Sequence, residues 1–349
     1  MAGRILGLSA LISLLGASGG GFYDDTPTMV RDVIEPEVFN PYFREQSTRV
    51  NAFFQSGIVA PVADLTFGSK GGTLIQMPFW PALDEDAQLL DDNDDLEIKG
   101  IVAEQDQAVQ HARALVYGAT DLSAAMAGDD PMEAIGAGVG ENWSMVFNRQ
   151  LIYMLKGAMG SLAAESPGVN TLDISGLSGA SAYLDGASFL DGTQLLGDMK
   201  DRLMGVLMHS AVETHLSKND LIETIRDSDG NAVMKTFMNK RVIVDDANTP
   251  TNGVFETYLF GPAAIGWGEG EPKVPSESDR MPLKGGGQEF LVTRRHYVLH
   301  PRGIAWTPTS GVPSKKTPSN VELSAAGNWT RVYDNKNVRI VQLKHKIAA

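Results

Sequence analysis

The sequence predicts an α+β fold, because strand-like and helix-like patterns occupy separate stretches of its 349 residues. Strand-forming residues flank an acidic segment between residues 66 and 117, a pattern typical of a long β-hairpin. Between Met132 and Leu162, apolar residues recur every three or four positions, which predicts one long helix. Mixed helix and strand patterns over residues 168–279 then predict a compact α/β unit.

The composition excludes several classes of protein. Hydrophobic residues make up 43% and charged residues 21% of the chain, values typical of a folded soluble protein. There is no cysteine, which excludes a disulfide framework, a cysteine nucleophile and a thiolate metal site. The formal net charge of −14 argues against tight non-specific binding to duplex DNA, which requires clustered Lys and Arg.

Residues 1–65 are predicted to form an N-terminal arm. A single Arg and an apolar run, Ile5–Leu15, precede small residues, which is also the pattern of a secretory signal peptide. The glycine run Gly19–Gly21 favours a flexible or partner-covered arm over a signal peptide. Prolines interrupt the rest of the arm, and Phe43–Phe54 is the stretch best suited to a short helix.

The hairpin over residues 66–117 is predicted to project from the subunit. Its outgoing strand is Thr73–Trp80, its exposed tip is Asp84–Glu97, and its return strand runs from about Ile98 to Val116. The tip carries eight carboxylates and no Lys or Arg. An isolated two-stranded ribbon is marginally stable in water, so the hairpin requires a surface on which to lie.

Two helix starts follow the hairpin. Thr120 and Asp121 form a predicted N-cap, and Asp129-Asp130 precedes Pro131, a residue favoured at the first helical position. The second helix is predicted to span about 30 residues, or about 45 Å at 1.5 Å per residue. We interpret it as a spine helix.

The remaining elements are assigned from shorter patterns. Helices are predicted at Thr193–Met208, Glu213–Ile225 and Val321–Ala326. Strands are predicted at Leu207–Val212, Phe237–Val244, Phe255–Trp267, Glu289–Trp306 (broken at Pro301) and Val338–Lys344. A turn is predicted at Asp227–Gly230 and a polar linker at Gly268–Gly287.

No catalytic or ligand-binding pattern in the chain is complete. A G-x-S-x-G match near the start is not followed by a helix, as a nucleophile elbow requires. Asp91, Asn93 and Asp95 resemble the start of a calcium loop, but the loop lacks the glycine and glutamate that it needs. His296 and His300 would lie about 13 Å apart along one strand, too far to share a metal ion. We therefore predict a protein that is not an enzyme and has no cofactor or metal site.

Eight short segments, spread over about residues 30–345, carry a family resemblance: Val33–Phe39, Gln55–Val59, Gly72–Trp80, Thr120–Ala125, Met208–Val212, Arg241–Asp246, Tyr258–Gly261 and His300–Ile304. Together with the order of the elements, they resemble the major capsid proteins of tailed bacteriophages, which have the Hong Kong ninety-seven type (Johnson) fold. The resemblance implies an N-terminal arm (1–65), an extended hairpin or E-loop (66–117), a peripheral domain with the spine helix and long strand (118–165 and 285–309) and an axial α/β domain (166–284 and 310–349).

The resemblance also implies a function. The chain is expected to be a structural subunit that self-assembles as hexamers and pentamers into an icosahedral shell around double-stranded DNA, without sequence-specific binding. It is expected in the virion, assembled in the host bacterial cytoplasm, with scaffolding, portal and decoration proteins as further partners and no membrane partner. An encapsulin-like nanocompartment shell, which shares the fold, is one alternative. A secreted or periplasmic binding protein is the other.

The charge distribution suggests how subunits meet. The hairpin tip is acidic, whereas residues 290–349 carry ten Lys or Arg and two carboxylates. We hypothesise that the tip docks on a basic surface of an adjacent subunit. The predicted contact residues are Asp91, Asp92, Asp94 and Asp95 on the tip, Arg294, Arg295 and Arg302 on the basic surface, and Phe79 and Trp80, whose burial supplies the affinity.

Overall fold

The computed structural model describes residues 56–65, 72–83, 86–89, 97–128, 130–166, 168–226, 232–283, 286–308 and 316–348. The expectations for the N-terminal arm, its helix at Phe43–Phe54 and the turn at Asp227–Gly230 lie outside these residues. Within them, no helix combines the length and the apolar character needed to cross a membrane.

The described residues form fifteen strands and five α-helices. The strands are β1 Val59–Pro61, β2 Leu74–Phe79, β3 Glu104–Thr120, β4 Thr171–Asp173, β5 Gly205–Met208, β6 Ile222–Arg226, β7 Ala232–Phe237, β8 Lys240–Val244, β9 Phe255–Phe260, β10 Ile265–Gly270, β11 Ser276–Met281, β12 Gln288–Pro301, β13 Ile304–Trp306, β14 Trp329–Arg331 and β15 Ile340–His345. The helices are α1 Asp121–Ala127, α2 Pro131–Glu165, α3 Gly186–Gln194, α4 Ser210–Lys218 and α5 Asn320–Ser324. Short 3-10 helices lie at Ala63–Leu65, Gly179–Ala182, Gly197–Arg202 and Ala326–Asn328.

The chain divides into two compact units. Of the described residues, the smaller unit contains Leu115–Gly138 and Ser276–Thr293, and the larger unit contains the others. In the smaller unit, β11 runs antiparallel to the first part of β12, with Ser276 opposite Thr293. Helix α1 begins where the Thr120 side chain accepts a hydrogen bond from the Ser123 backbone, as the predicted N-cap requires. Arg280 pairs with Asp121 at the same helix end.

The first sheet of the larger unit contains the predicted hairpin. Its strands follow the order β1–β10–β12–β3–β2. β2 and β3 are antiparallel, with Leu74 opposite Val109 and Phe79 opposite Glu104, so the pairing of the two hairpin strands is confirmed. The predicted break at Pro301 is also confirmed, because β12 ends there and β13 starts at Ile304.

The second sheet of the larger unit has seven strands in the order β4–β15–β9–β5–β8–β7–β6. Helices α3 and α4 contribute Phe189, Val212 and Leu216 to a core cluster that covers one face of this sheet. Strand β15 lies between β4, to which it is parallel, and β9, to which it is antiparallel. The sheet therefore joins strands that are distant in the sequence.

Helix α2 is the predicted spine helix. It spans 35 residues, about 52 Å at 1.5 Å per residue. It begins at Pro131, and the Asp130 side chain accepts a hydrogen bond from the Met132 backbone at 2.9 Å. Its buried residues lie mainly in the second half and include Leu151, Leu155 and Met159. Both the start and the apolar face match the sequence pattern.

Two predicted helices are wrong. The stretch predicted as one helix, Thr193–Met208, contains the end of α3, a 3-10 helix and the buried strand β5, because Gly197 takes a positive φ of 57° that breaks the helix. The stretch Glu213–Ile225 is helical only as far as Lys218. Asp220 has a φ of 55°, and the chain turns there into β6.

Three other predicted elements require correction. Phe237–Val244 is not one strand, because Met238 and Asn239 both have positive φ and form a tight turn between β7 and β8. The predicted strand Phe255–Trp267 is interrupted after Phe260 by a turn at Pro262-Ala263. The predicted linker Gly268–Gly287 contains strand β11, whose six residues are all exposed and therefore lack an apolar alternation.

A buried histidine is expected to make the subunit sensitive to acid. Burial lowers the pKa of His111 to about 3 from an ordinary value of 6.5, and nearby Arg113 acts in the same direction. The unfolded chain therefore binds a proton that the folded chain excludes, so the free energy of unfolding falls as the pH drops from 6.5 towards 3. At about pH 4.5 the expected loss is about 2–3 kcal/mol.

The variant His111→Phe tests this expectation. Phenylalanine keeps a ring against Tyr297, whose ring centroid lies 5.3 Å from that of His111. Denaturant unfolding at pH 7 and at about pH 4.5 should show a loss of stability that is smaller in the variant by about 2–3 kcal/mol. The pH dependence of the free energy of unfolding that remains in the variant includes a contribution from His345, because burial lowers the pKa of His345 to about 4. Parallel pH profiles for the two proteins would contradict the expectation.

Candidate subunit-contact surfaces

The hairpin strands lead into a segment whose described residues have no regular secondary structure. The pairing of β2 and β3 ends at Phe79 and Glu104. Of the residues between them, 80–83, 86–89 and 97–103 are described, and none belongs to a helix or strand. We call residues 80–103 the projecting loop. Asp91, Asp92, Asp94 and Asp95, the predicted acidic contacts, belong to this loop but lie outside the described residues.

The projecting loop exposes large apolar side chains. Five of them are more than half exposed: Trp80 at 65%, Leu83 at 83%, Leu89 at 94%, Ile98 at 99% and Val102 at 76%. Single exposed apolar residues are common on soluble proteins, but a group of five along one short loop is typical of an interaction surface. The surface is therefore amphipathic, because these residues flank the acidic segment 90–97.

A side-chain pair closes the loop on either side of that segment. The Gln88 amide donates from Nε2 to the Glu97 carbonyl oxygen at 2.9 Å, and its Oε1 accepts from the Glu97 backbone N–H at 2.8 Å. The Gln88 side chain thus takes the place of a backbone partner in a β-ladder. This pair brings the two ends of the acidic segment together.

Both hairpin strands are fixed where the projecting loop begins. On β3, the buried Asp106 accepts from His300 Nε2 at 3.0 Å and from the Gly303 backbone N–H at 3.1 Å. Burial raises the pKa of Asp106, but the bond from His300 and the other donors outweigh it, so this pKa is lowered. On β2, the Phe79 ring meets Tyr333 edge to face, with 4.7 Å between centroids.

The two predicted aromatic contacts therefore differ in their surroundings. Phe79 is half-buried against Tyr333 of its own chain, whereas Trp80 is largely exposed. A contact of either ring with another subunit stays a prediction. Trp80 has the larger surface available for such a contact.

The three predicted arginines differ in their surroundings. Arg294 donates to the Val274 carbonyl oxygen at 3.3 Å, and the Arg295 guanidinium lies 5.9 Å from the centre of the Trp143 ring. Arg302 is exposed in the turn after β12. Arg302 lies eight positions after Arg294, which corresponds to about 26 Å along an extended strand at 3.3 Å per residue. Contact of these arginines with the acidic tip of another subunit stays a prediction.

Known proteins place the chain in a family. A family model described as Major capsid protein 13-like matches residues 64–338. A major capsid protein of Bacillus phage SPP1 is 42% identical over 330 residues, which span 92% of this chain and 99% of that protein. The chain belongs to the Major capsid protein 13-like family. The resemblance to the major capsid proteins of tailed phages is confirmed.

Solved structures agree with the fold of the capsid protein. A capsid chain of Ralstonia phage GP4 is 8% identical, has a TM-score of 0.56, and the match covers 90% of this chain and 96% of that chain. A chain from the capsid asymmetric unit of Cyanophage Pam1 is 9% identical with a TM-score of 0.56, over 93% of this chain and 100% of that chain. The predicted α+β capsid fold is confirmed. The capsid protein is thus a shell-forming component of a phage virion.

Two features near the predicted contact residues were not identified from the sequence. The first is the apolar character of the loop beyond Trp80. The sequence does contain a signal for it, because the apolar residues Leu83, Leu89 and Ile98 lie within or beside an acidic stretch. The second is the buried pair of Asp106 and His300, which stand 194 residues apart and share no sequence pattern. In the part of the chain that the structure describes, no group of His, Asp or Glu is arranged to hold a metal ion.

Proposed function

We propose that this capsid protein builds its shell by laying the projecting loop of each subunit across a neighbouring copy. The observation that carries this proposal is the exposure of Trp80, Leu83, Leu89, Ile98 and Val102 along one loop. Covering these side chains removes apolar surface from water, which stabilises the assembled state by about 25 cal/mol per Å² buried.

The proposal extends to the whole particle. Hexamers and pentamers of the subunit form an icosahedral shell that encloses double-stranded DNA without sequence-specific contacts and without enzymatic activity. The net charge of −14 supports this, because an acidic container does not bind the DNA that it encloses. Residues 66–117 act as the E-loop, 118–165 and 285–309 as the peripheral domain, and 166–284 and 310–349 as the axial domain. Assembly takes place in the host cytoplasm with scaffolding, portal and decoration proteins.

Charge contributes a second, weaker part of the contact. The acidic residues Asp91, Asp92, Asp94 and Asp95 meet basic side chains of the neighbouring copy. Among the three predicted arginines, Arg295 and Arg302 are exposed, whereas Arg294 is partly buried and donates to the Val274 carbonyl oxygen, so the first two are the better suited. Exposed ion pairs contribute little stability and are screened by salt, so they set the register of docking more than its strength.

The double variant Trp80→Ser, Leu83→Ser tests the proposal. Truncating a tryptophan that is buried at an interface costs ~2 kcal/mol or more. The protein concentration at which shells form is therefore expected to rise by at least about thirtyfold. Light scattering and negative-stain electron microscopy measure shell formation, and circular dichroism confirms that the subunit is folded.

The control variant is Val321→Ser, because Val321 is 78% exposed but lies in α5, outside the projecting loop. It is expected to assemble as the wild type does. Normal shells from the loop variant would refute docking through the loop. An equal defect in the control would show that general surface hydrophobicity, and not the loop, drives assembly.

A further inference from the structure

Four contacts at the start of the projecting loop form a closed circuit. Asp106 on β3 accepts the Gly303 N–H, the Gly303 carbonyl oxygen accepts from the Tyr333 backbone at 3.1 Å, and the Tyr333 ring meets Phe79 on β2. Phe79 lies opposite Glu104 in the hairpin, two residues before Asp106. Both strands of the hairpin are thus held by one turn of the chain, at the level where regular pairing ends.

Burial and close packing restrain the residues that make these contacts. Asp106 is 2% exposed and His300 is 1% exposed, so their bond is shielded from water. An ionised carboxylate only accepts hydrogen bonds, so His300 Nε2 carries the hydrogen and donates it. Gly303 has a φ of 85°, and a Cβ at that position would lie 2.6 Å from the Tyr333 ring. Only glycine lets the turn approach Tyr333 this closely.

One further bond fixes the same point from the other face of β3. Gln107 donates from Nε2 to the Trp306 carbonyl oxygen at 2.7 Å. Neighbouring residues on a strand point to opposite faces, so Asp106 and Gln107 hold β3 from two sides. Beyond Phe79 and before Glu104, by contrast, no described residue of the projecting loop belongs to a strand or helix. Regular pairing between the two strands of the hairpin therefore ends at this level.

We propose that Phe79, Asp106, His300, Gly303 and Tyr333 form a root anchor that fixes the direction in which the projecting loop leaves the subunit, and thereby the curvature and size of the shell. The proposal rests on the proposed function, in which the loop docks on a neighbouring copy. A loop of about 24 residues magnifies a small rotation at its root into a displacement of several Å at its tip. The anchor residues are positioning residues, because they set where the contact occurs without taking part in it.

The first test is Asp106→Asn, which keeps the shape of the side chain. Two donors, His300 Nε2–H and the Gly303 N–H, face the two carboxylate oxygens, whereas an amide offers one oxygen and places its own N–H groups against a donor. Tyr333→Leu removes the ring that meets Phe79 and leaves the buried carboxylate bonds in place. Gln107→Ala is the mildest change, since it removes one partly buried hydrogen bond.

The matched control is Thr257→Val. Thr257 is fully buried, and its hydroxyl lies 2.9 Å from His345 Nε2 in the seven-stranded sheet, away from the hairpin. The control therefore also loses a buried hydrogen bond to a histidine, with a comparable loss of subunit stability. Thermal unfolding of each variant shows whether the stability losses match.

The decisive readout is the direction of the loop in the unassembled subunit. The chain has no cysteine, so Val102→Cys and Lys218→Cys supply the only two sites for nitroxide spin labels. Both positions are exposed, one on the projecting loop and one at the end of α4. Electron–electron double resonance measures the distribution of distances between the labels. We expect a narrow distribution for the wild type and for Thr257→Val, and a broad one for the anchor variants.

Assembly supplies the second readout. For the anchor variants we expect a roughly tenfold fall in the yield of shells with the wild-type diameter, with more open or irregular particles, which corresponds to about 1.4 kcal/mol. An unchanged distance distribution in folded anchor variants would overturn the proposal, and so would the same broadening in Thr257→Val. The two proposals can be refuted separately. Normal assembly of the loop variant Trp80→Ser, Leu83→Ser would refute docking through the loop, whereas the distance measurement would still test the root anchor.

Discussion

Replacement of Gly157 by alanine is expected to prevent the subunit from folding stably. A Cβ at this position would lie 2.0 Å from the Leu323 carbonyl oxygen and 2.6 Å from Trp329 Nε1. Those two atoms already bond to each other at 2.9 Å, so neither can move aside alone. Relief would require a shift of α2 relative to α5 and the segment that follows it. We expect a loss of about 4 kcal/mol or more, measured as soluble yield and as denaturant unfolding.

Gly140→Ala is the matched control for this prediction. Gly140 lies in the same helix, and an added Cβ there has no atom within 4 Å. Alanine is a better helix former than glycine, so this variant is expected to gain about 0.5–1 kcal/mol. Equal stability of the two alanine variants would show that close approach at Gly157 does not matter.

Replacement of Asn170 by aspartate is expected to be nearly as severe. Asn170 is fully buried, and its Nδ2 lies 3.1–3.2 Å from the carbonyl oxygens of Asn335, Val338 and Ile340. Aspartate has the same shape but would present a charged oxygen to three acceptors. We expect a loss of about 3–5 kcal/mol at pH 7, the range for an uncompensated buried charge.

The pH dependence of this variant distinguishes charge from shape. The buried carboxyl would have a raised pKa, so the unfolded state loses its proton first as the pH rises. The loss relative to the wild type is therefore expected to shrink as the pH falls below the raised pKa, and to be smallest below about pH 4, where the carboxyl is protonated in both states. Asn252→Asp is the control, because Asn252 has nearly the same φ, 52° against 53°, but is exposed. A loss independent of pH would contradict the electrostatic explanation.

The sequence predicts local features of this fold well where one residue determines the geometry. Pro131 and Thr120 mark helix starts because their effects act within one turn of the helix. The tight turn at Met238-Asn239 was missed, since positive φ there is held by strand pairing and not by glycine. β11 was missed because an exposed strand has no apolar face to reveal it.

The surroundings of the predicted contact residues show a related limit. Trp80 is predicted as a subunit contact from its residue type, because tryptophan is enriched at such contacts, and this stays a prediction. The half-buried state of Phe79 could not be predicted from the sequence, because it depends on Tyr333, which lies more than 250 residues further along the chain. The separation of Arg294 from Arg302 likewise depends on β12 remaining extended between them.

The position of β15 has a consequence for the timing of synthesis. Because β15 lies between β4 and β9, a chain synthesised only as far as residue 339 lacks the strand that joins them. Proteins leave the ribosome N-terminal end first, at about 5–20 residues per second. The projecting loop therefore emerges well before its own subunit can complete the second sheet. We therefore expect the second sheet, and any subunit surface built on it, to form only after the C-terminal residues have left the ribosome.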